Sequence, residues 1–484
     1  MGKLVSNYLY TVIYQLLLLL TPFILTPYIS RVLKPEGIGT DAYVLSIVQL
    51  FLVFAILSIP MYGSRQIATK QTVEERSKEF WSIYFIQLFI SIITLVVYLL
   101  FALTANEYKS LFFIHIFTLV ATTLDVSWYF IGKEQIKSVT TRNILVRLVS
   151  IVLVFTLVKD IGDLSYYITI NAVTLFAGQL IMWIPLLKEI TFKRIAYRDI
   201  KIHFWPIIGL FLPQIMIQVY TLVNRIVLGR VSGEVEVGYY NQADKVVRIA
   251  LGFITSLGSV LLPRMAHEFS QGNTESMKKY IKYALQFVLL ITLPMTLGLM
   301  GIAPNFVTWF LGNEFNAVIN LLIIMSPVIF FVGLANIFGI QILVSTNQQN
   351  KYAIAITIGA ILSLITNFLF VSHLASTAAT IALLVAEAVG AIIQMYFARK
   401  YFEFKNFAGM FIKYFVLSIL VFFSVSAVDK FINISPLLVT FIQLFIGVCV
   451  YLVGLIVIKD SLIVTIMNTV KSKIVPKRKD KHKN

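Results

Sequence analysis

Five ionisable side chains stand close together near the middle of the chain: Arg225, Arg230, Asp244, Lys245 and Arg248. Lys245 and Arg248 are three apart, so any helix that carries them presents both on one face. Asp244 is placed to neutralise Arg248 or Arg225. Fixed cations around a shared site suit an anionic ligand such as phosphate or pyrophosphate, because the arginine fork meets phosphate oxygens in pairs. Arg31 and Arg147 are further cations in apolar surroundings, and Asp41 follows Arg31 closely.

Two carboxylates suggest a different chemistry. Glu387 lies in Leu383-Leu384-Val385-Ala386-Glu387-Ala388-Val389-Gly390 with no charged neighbour. Such a group is suited to bind a coupling proton or sodium ion. Asp125, beside Trp128 and Tyr129, is the second candidate, and structural pairing explains it equally well. Other chemistry has no carrier. There is no G-x-x-x-x-G-K-[ST] phosphate loop and no H-E-x-x-H metal pair. His115, His203, His267, His373 and His482 show no ligand spacing. Asp160-Ile161-Gly162-Asp163 reads as a solvated turn. Neither a catalytic residue nor a cofactor nor a metal is expected, and Cys449, the single cysteine, excludes an internal disulfide.

These residues must be positioned by an unusually apolar chain. Of 484 residues, 58% are hydrophobic and 13% charged, against roughly 45–50% and ~25% in soluble domains. Such a chain cannot cover a water-facing surface. A membrane helix takes about 20 mostly apolar residues, and fourteen such stretches occur, near 8–28, 42–62, 81–103, 110–131, 144–158, 164–187, 205–228, 243–262, 281–303, 317–343, 352–371, 377–398, 410–428 and 435–458. The runs are continuous rather than alternating, which argues against a barrel. The expected class is an all-α polytopic membrane protein. The first span reads as a retained helix, because it is long, contains Pro22 and Pro27 and lacks an A-x-A cleavage site. In a bilayer, the competing reading of Arg31 and Arg230 is that they snorkel to headgroups at span ends. Arg248, a turn or more inside its span, fits that reading less well.

The formal charge of +17 does not imply nucleic-acid binding. With the amino terminus placed inside, inner segments hold 28 of the 40 Lys and Arg residues, outer loops 6 and the spans 6. This is the positive-inside pattern, and it places both termini in the cytoplasm. The basic tail Lys471-Ser472-Lys473-Ile474-Val475-Pro476-Lys477-Arg478-Lys479 continues the bias and suits anionic lipid. No loop is long enough for a folded domain.

The chain also repeats itself. An offset of 199 residues aligns Gln15 with Gln214, Arg31 with Arg230, Gly39 with Gly238, Arg65 with Arg264, Tyr84 with Tyr283 and Gln87 with Gln286. In all there are 11 identities over positions 15–87, where composition alone gives roughly 5 or 6. Six spans separate the copies, so they are parallel repeats. The expected organisation is a lobe at 1–204 (spans 1–6), a lobe at 205–400 (spans 7–12), and 401–484 holding two extra spans and the tail. Pro22 and Pro27 interrupt span 1 as Pro206 and Pro213 interrupt span 7, a placement that fits a transport site or, equally, a pair of packing kinks.

Four motifs carry a resemblance. Arg31-Val32-Leu33-Lys34-Pro35-Glu36-Gly37-Ile38-Gly39 resembles the L-G-P-E-x-[YF]-G segment of Wzx-type polysaccharide flippases, with Lys34 in place of the usual glycine. Asp125-Val126-Ser127-Trp128-Tyr129-Phe130-Ile131-Gly132-Lys133-Glu134-Gln135 resembles their W-[FY]-[FY]-x-G-x-E signature and continues through Thr141-Arg142-Asn143 to Arg147. Gly238-Tyr239-Tyr240-Asn241-Gln242-Ala243-Asp244-Lys245 and Leu262-Pro263-Arg264-Met265-Ala266 are the third and fourth, opening and closing span 8. The resemblance covers nearly the whole chain. It implies a transporter of the multidrug/oligosaccharidyl-lipid/polysaccharide superfamily, not an enzyme, in a bacterial cytoplasmic membrane. The implied substrate is an undecaprenyl-diphosphate-linked oligosaccharide, moved to the outer leaflet by alternating access. Polysaccharide polymerase and glycosyltransferases are the implied partners. Cationic cavity residues of the family would correspond to Arg31 and Lys245 within the matched segments, with Arg225, Arg230 and Arg248 added from the reading above. A drug/cation antiporter of the same superfamily is the alternative.

Overall fold

The computed structural model describes residues 2–271, 273–432 and 434–462. Every regular element among them is helical. Hydrocarbon offers backbone groups no hydrogen-bond partner, so an apolar chain must satisfy them within each segment. Among the described residues, eleven helices are long and apolar enough to cross a membrane. One of them, Val12–Ala68, covers both of the first two expected spans. The helices Tyr197–Ser232 and Glu234–Ser270, of 36 and 37 residues, stand at the seventh and eighth. All fourteen expected spans are therefore represented by helix. The basic tail 471–479 and His482 lie outside the described residues, and at Leu262–Ala266 only the backbone is described.

The elements depart from the expected spans where local chemistry overrides hydropathy. Span 1 runs through Pro22 and Pro27 without leaving helical geometry, and breaks only at Lys34, with φ 57° and ψ 178°. Lys34 precedes Pro35, whose ring disfavours the α conformation one residue earlier. Span 4 is three pieces, Lys109–Ile114, Ile116–Thr123 and Ser127–Gly132. The second break frees carbonyls that Gln87 satisfies: its Nε2 donates to Thr122, Thr123 and Asp125 at 2.9–3.2 Å. Span 5 begins at Ile136 rather than near 144. Lys137 and Arg142 thus ride on the helix, where their polarity had read as loop. Span 10 is Ala317–Met325, then Pro327–Ala335, then a π-helical stretch Asn336–Val344. Pro327 at the second start needs no N–H partner.

Two compact units emerge. One comprises residues 1–249, 310–325 and 349–390; the other comprises 250–309, 326–348 and 391–484. An aromatic knot organises one end of the first unit. Trp128 stacks on Phe80 with centroids 5.2 Å apart and donates its Nε1–H to Gln87 Oε1 at 3.1 Å. Gly63 lets the Trp128 ring in, since a Cβ there would lie 2.5 Å from ring carbon Cε3. In the second unit, Gln286, the repeat partner of Gln87, donates to Tyr414 Oη and Ser461 Oγ, each at 3.0 Å. Asp460 closes that group by accepting from Tyr414 at 2.7 Å and from Lys413.

Candidate functional site

Span 7 (Tyr197–Ser232) and span 8 (Glu234–Ser270) bring Arg225 and Arg248 onto one carboxylate. Arg225 Nη2 and Arg248 Nε both donate to Asp244 Oδ2, the latter at 2.8 Å. Asp244 precedes Arg248 by four residues, one helical turn, so a single helix face supplies the hub and one of its cations. The Asp244 side chain is 4% exposed, Arg225 17% and Arg248 55%. The carboxylate is therefore the buried hub and Arg248 its open end. Tyr240, one turn before Asp244, places its ring 5.9 Å from the Arg225 guanidinium, within cation–π range.

Glu387, isolated in sequence, is not isolated in space. Tyr220 of span 7 donates its hydroxyl to Glu387 Oε1 at 3.0 Å. The field of Arg248 reaches both Glu387 and Tyr220. A neutral network continues along span 7: Asn224 Nδ2 donates to Ser363 Oγ at 2.9 Å, and Asn367 Nδ2 donates to the Asn224 carbonyl at 3.1 Å. Helix Gln349–Leu374 is thus pinned to span 7 beside the charges.

Lys245 is half-buried and belongs to a second charged group. Its counter-charge is Asp41, while the like charges of Arg225 and Arg147 act against it. The Nε of Arg147 is buried without a hydrogen-bond partner, and Tyr167 lies in the fields of Asp41 and Arg147. Arg225, Lys245 and Arg248 therefore converge within the first unit, with Arg248 on the open side, and Glu387 joins them through Tyr220. With Arg147 they face Asp41, Asp244 and Glu387, so the convergence is nearly balanced in charge.

The other sequence candidates stand elsewhere. Arg31 is exposed and donates Nη1 to the carbonyls of Pro27, at 2.7 Å, and Phe310, at 3.5 Å. Arg230 is 74% exposed and lies 3.8 Å from Glu107. It follows Arg225 by five residues, about 7.5 Å along the helix axis, which carries it to the span end. Asp125 accepts the backbone N–H of Ser127 at 2.9 Å and so secures the break in span 4. Arg142 donates to Ser127 Oγ at 2.7 Å and to Gln179 Oε1 at 2.8 Å. Among the described residues, no three His, Cys, Asp or Glu side chains form a group able to hold a metal.

Hydropathy reading missed Tyr220, Tyr240 and the Asn224 network. A signal was present: Tyr220 and Asn224 are four apart in span 7, one residue before Arg225, marking a polar stripe on an apolar helix.

The family described as "Polysaccharide biosynthesis protein" matches residues 4–269. The chain belongs to this family. A second match, to the MatE family, covers residues 210–369. The family member is 24% identical over 399 residues to a protein of Escherichia coli (strain K12) named "Putative O-antigen transporter", covering 81% of this chain and 96% of that relative. A protein of the same name from Shigella dysenteriae is 24% identical over 376 residues, covering 76% and 93%. Among solved structures, the fold matches "Lipid II flippase MurJ, inward closed conformation" with a TM-score of 0.73 at 18% identity, over 95% of this chain and 100% of the other. An inward-facing multidrug-resistance MATE family transporter matches with a TM-score of 0.59 at 15% identity, over 81% and 95%. The fold is shared with these two solved transporter structures.

Proposed function

We propose that this protein is a flippase that moves an undecaprenyl-diphosphate-linked oligosaccharide repeat unit, of capsule, O-antigen-like or teichoic-acid type, across the bacterial cytoplasmic membrane. The observation that carries the proposal is the pairing of Arg225 and Arg248 on Asp244, with Arg248 more than half exposed. A guanidinium within a span does not face hydrocarbon without cost, so its open side marks a water-accessible path. Its uncommitted N–H groups suit diphosphate oxygens. Asp244 holds the two cations together while substrate is absent, and an arriving anion competes with it for Arg248. The same flippase reading assigns the 1–204 and 205–400 lobes to alternating access. Biosynthetic glycosyltransferases and a polymerase would supply and consume the substrate, and both termini would be cytoplasmic. Relatives named as O-antigen transporters support the substrate class.

The MatE match over residues 210–369 favours one second reading, a drug/cation antiporter. The convergence is nearly balanced in charge, which does not by itself repel a lipophilic cation. Reconstituted vesicles decide between them. Lipid-linked oligosaccharide placed in one leaflet should appear in the other, and a lipophilic cation should not accumulate. Cation flux without lipid-linked sugar transfer would replace the first reading with the second.

A further inference from the structure

Spans 5 and 6, the helices Ile136–Leu157 and Leu164–Glu189, leave a groove of about 550 Å³ between them. Leu145, Val149, Ala177 and Ile181 form its walls, and Lys137 and Arg142 stand at one end. No acidic residue lines it. Leu145, Val149 and Ile181 are each 50% exposed or more. Only 28% of the most apolar stretch of span 5 is buried. A groove with apolar walls on such a helix opens to lipid rather than to water.

Its floor is made by close helix contact. A Cβ on Gly178 would stand 2.5 Å from Val146 Cγ2 and 3.3 Å from Arg142 Cδ, so the missing side chain sets the cleft. Arg142 is 8% exposed, and its Nε is buried without a hydrogen-bond partner. Gln179 and Ser127 hold the guanidinium and Asp125 is its counter-charge, so it is a fixed, buried cation at the groove's basic end. Lys137 is exposed, with Nζ 5.0 Å from the Tyr10 ring centroid, so its charge is held at the mouth.

We propose that this groove is a binding site for one anionic glycerophospholipid of the cytoplasmic leaflet, with its phosphate at Lys137 and one acyl chain along Leu145, Val149 and Ile181. Charge and length select this occupant. The basic end, which the distribution of Lys and Arg places at the cytoplasmic face, matches a headgroup phosphate. From Lys137 to Val149 the helix rises about 18 Å. This is close to one leaflet, half of the ~30 Å hydrocarbon core. A polyprenyl chain of dozens of carbons would far overrun it. The inference does not rest on the transport reading, since a resident lipid needs no movement of substrate.

Native mass spectrometry of the full-length protein tests it, with dioleoyl phosphatidylglycerol, dioleoyl phosphatidylcholine and undecaprenyl phosphate as probes. Wild type should retain one phosphatidylglycerol about tenfold more tightly than phosphatidylcholine. Lys137→Ala should remove that preference, and Ala177→Trp, which fills the groove, should remove the bound lipid. Val149→Trp on the opposite wall serves if Ala177→Trp does not assemble. Lys405→Ala, an exposed basic residue outside the groove, should change nothing. Equal retention of the two phospholipids by wild type overturns the proposal, as does a loss in Lys405→Ala equal to that in Lys137→Ala. Displacement of phosphatidylglycerol by undecaprenyl phosphate also overturns it, and gives the groove to a substrate-type lipid instead.

Discussion

Gly39 and Gly238, the two glycines aligned by the 199-residue repeat, meet at a backbone crossing. A Cβ on Gly39 would lie 1.7 Å from the Glu234 carbonyl oxygen, and one on Gly238 would lie 2.2 Å from that of Pro35. Small residues allow membrane helices this approach, where packing rather than the hydrophobic effect drives association. Gly39→Ala and Gly238→Ala should each destabilise the protein by about 1–3 kcal/mol or more, read as a lower melting temperature in detergent. Gly209→Ala, where a Cβ would meet nothing within 4 Å, should not lower it and should raise it slightly, since alanine is the better helix former. Equal melting of all three would remove the crossing from the account of stability.

That crossing also measures what was legible in the sequence. The helices were, because each must be long and apolar, and the repeat placed Gly39 and Gly238 in register. The breaks were not. Gln87 caps the freed carbonyls of span 4 from another helix, and hydropathy carries no trace of such a partner. The same holds in the site. Asp244 between Arg225 and Arg248 follows from spacing, whereas Tyr220 and Glu387 are 167 residues apart and meet only through tertiary packing. Arg31 and Arg230 share a residue type with the clustered cations; their place at span ends left headgroup exposure open as a reading, and the fold sets both at exposed positions.

Lys34 stands where the flippase segment that it resembles carries glycine, and its backbone conformation is one that glycine adopts more readily. At φ 57° and ψ 178° it occupies a conformation that costs a non-glycine residue on the order of 1–3 kcal/mol. Its ion pair with Glu314, at 3.2 Å and about half exposed, returns roughly 0–1 kcal/mol. Lys34→Gly should therefore raise the melting temperature, and Lys34→Ala should not. A lower melting temperature for Lys34→Gly would mean that the ion pair outweighs the strain.

Orientation can be read by labelling. Ser110 is exposed at the start of span 4, in a segment that the positive-inside pattern puts outside. A cysteine introduced there in a Cys449→Ser background should react with a membrane-impermeant reagent in intact cells. One at Ser472, in the basic tail outside the described residues, should react only after permeabilisation. The reverse pattern inverts the protein and moves the proposed lipid groove to the outer leaflet.

The shared carboxylate makes Asp244 the most sensitive position of its cluster. Asp244→Asn leaves two guanidinium groups facing one another without their buried counter-charge, a loss on the order of 3 kcal/mol. Arg248→Gln leaves Arg225 paired and should fold, yet lose export. Arg248→Lys, which keeps the charge but not the fork, should retain more export than Arg248→Gln. The measurements are membrane abundance and surface polysaccharide. Full export in Arg248→Gln would reduce the trio to a structural clamp.

Ion coupling is the last prediction, and the geometry sharpens it. An ion gradient is one energy source that a buried carboxylate can draw on. Glu387 is the carboxylate best placed to respond to an ion, because Tyr220 is a neutral hydrogen-bond partner and Arg248 adds a distant positive field. Protonation of Glu387 would remove a charge that helps balance Arg248, leaving that arginine freer to take an anion. Release of the proton would favour letting the anion go. This links one carboxylate to substrate affinity without requiring direct contact. Glu387→Gln, fixed in the neutral form, should bind substrate at least as well as wild type and lose gradient-dependent transport. Tyr220→Phe should keep transport but shift its pH profile, since only the hydrogen bond is removed. Flux in proteoliposomes, with and without imposed proton or sodium gradients, measures both. Wild-type flux that ignores both gradients ends the coupling idea. If wild type responds and Glu387→Gln responds equally, the coupling carboxylate lies elsewhere, and Asp125 is the next to substitute.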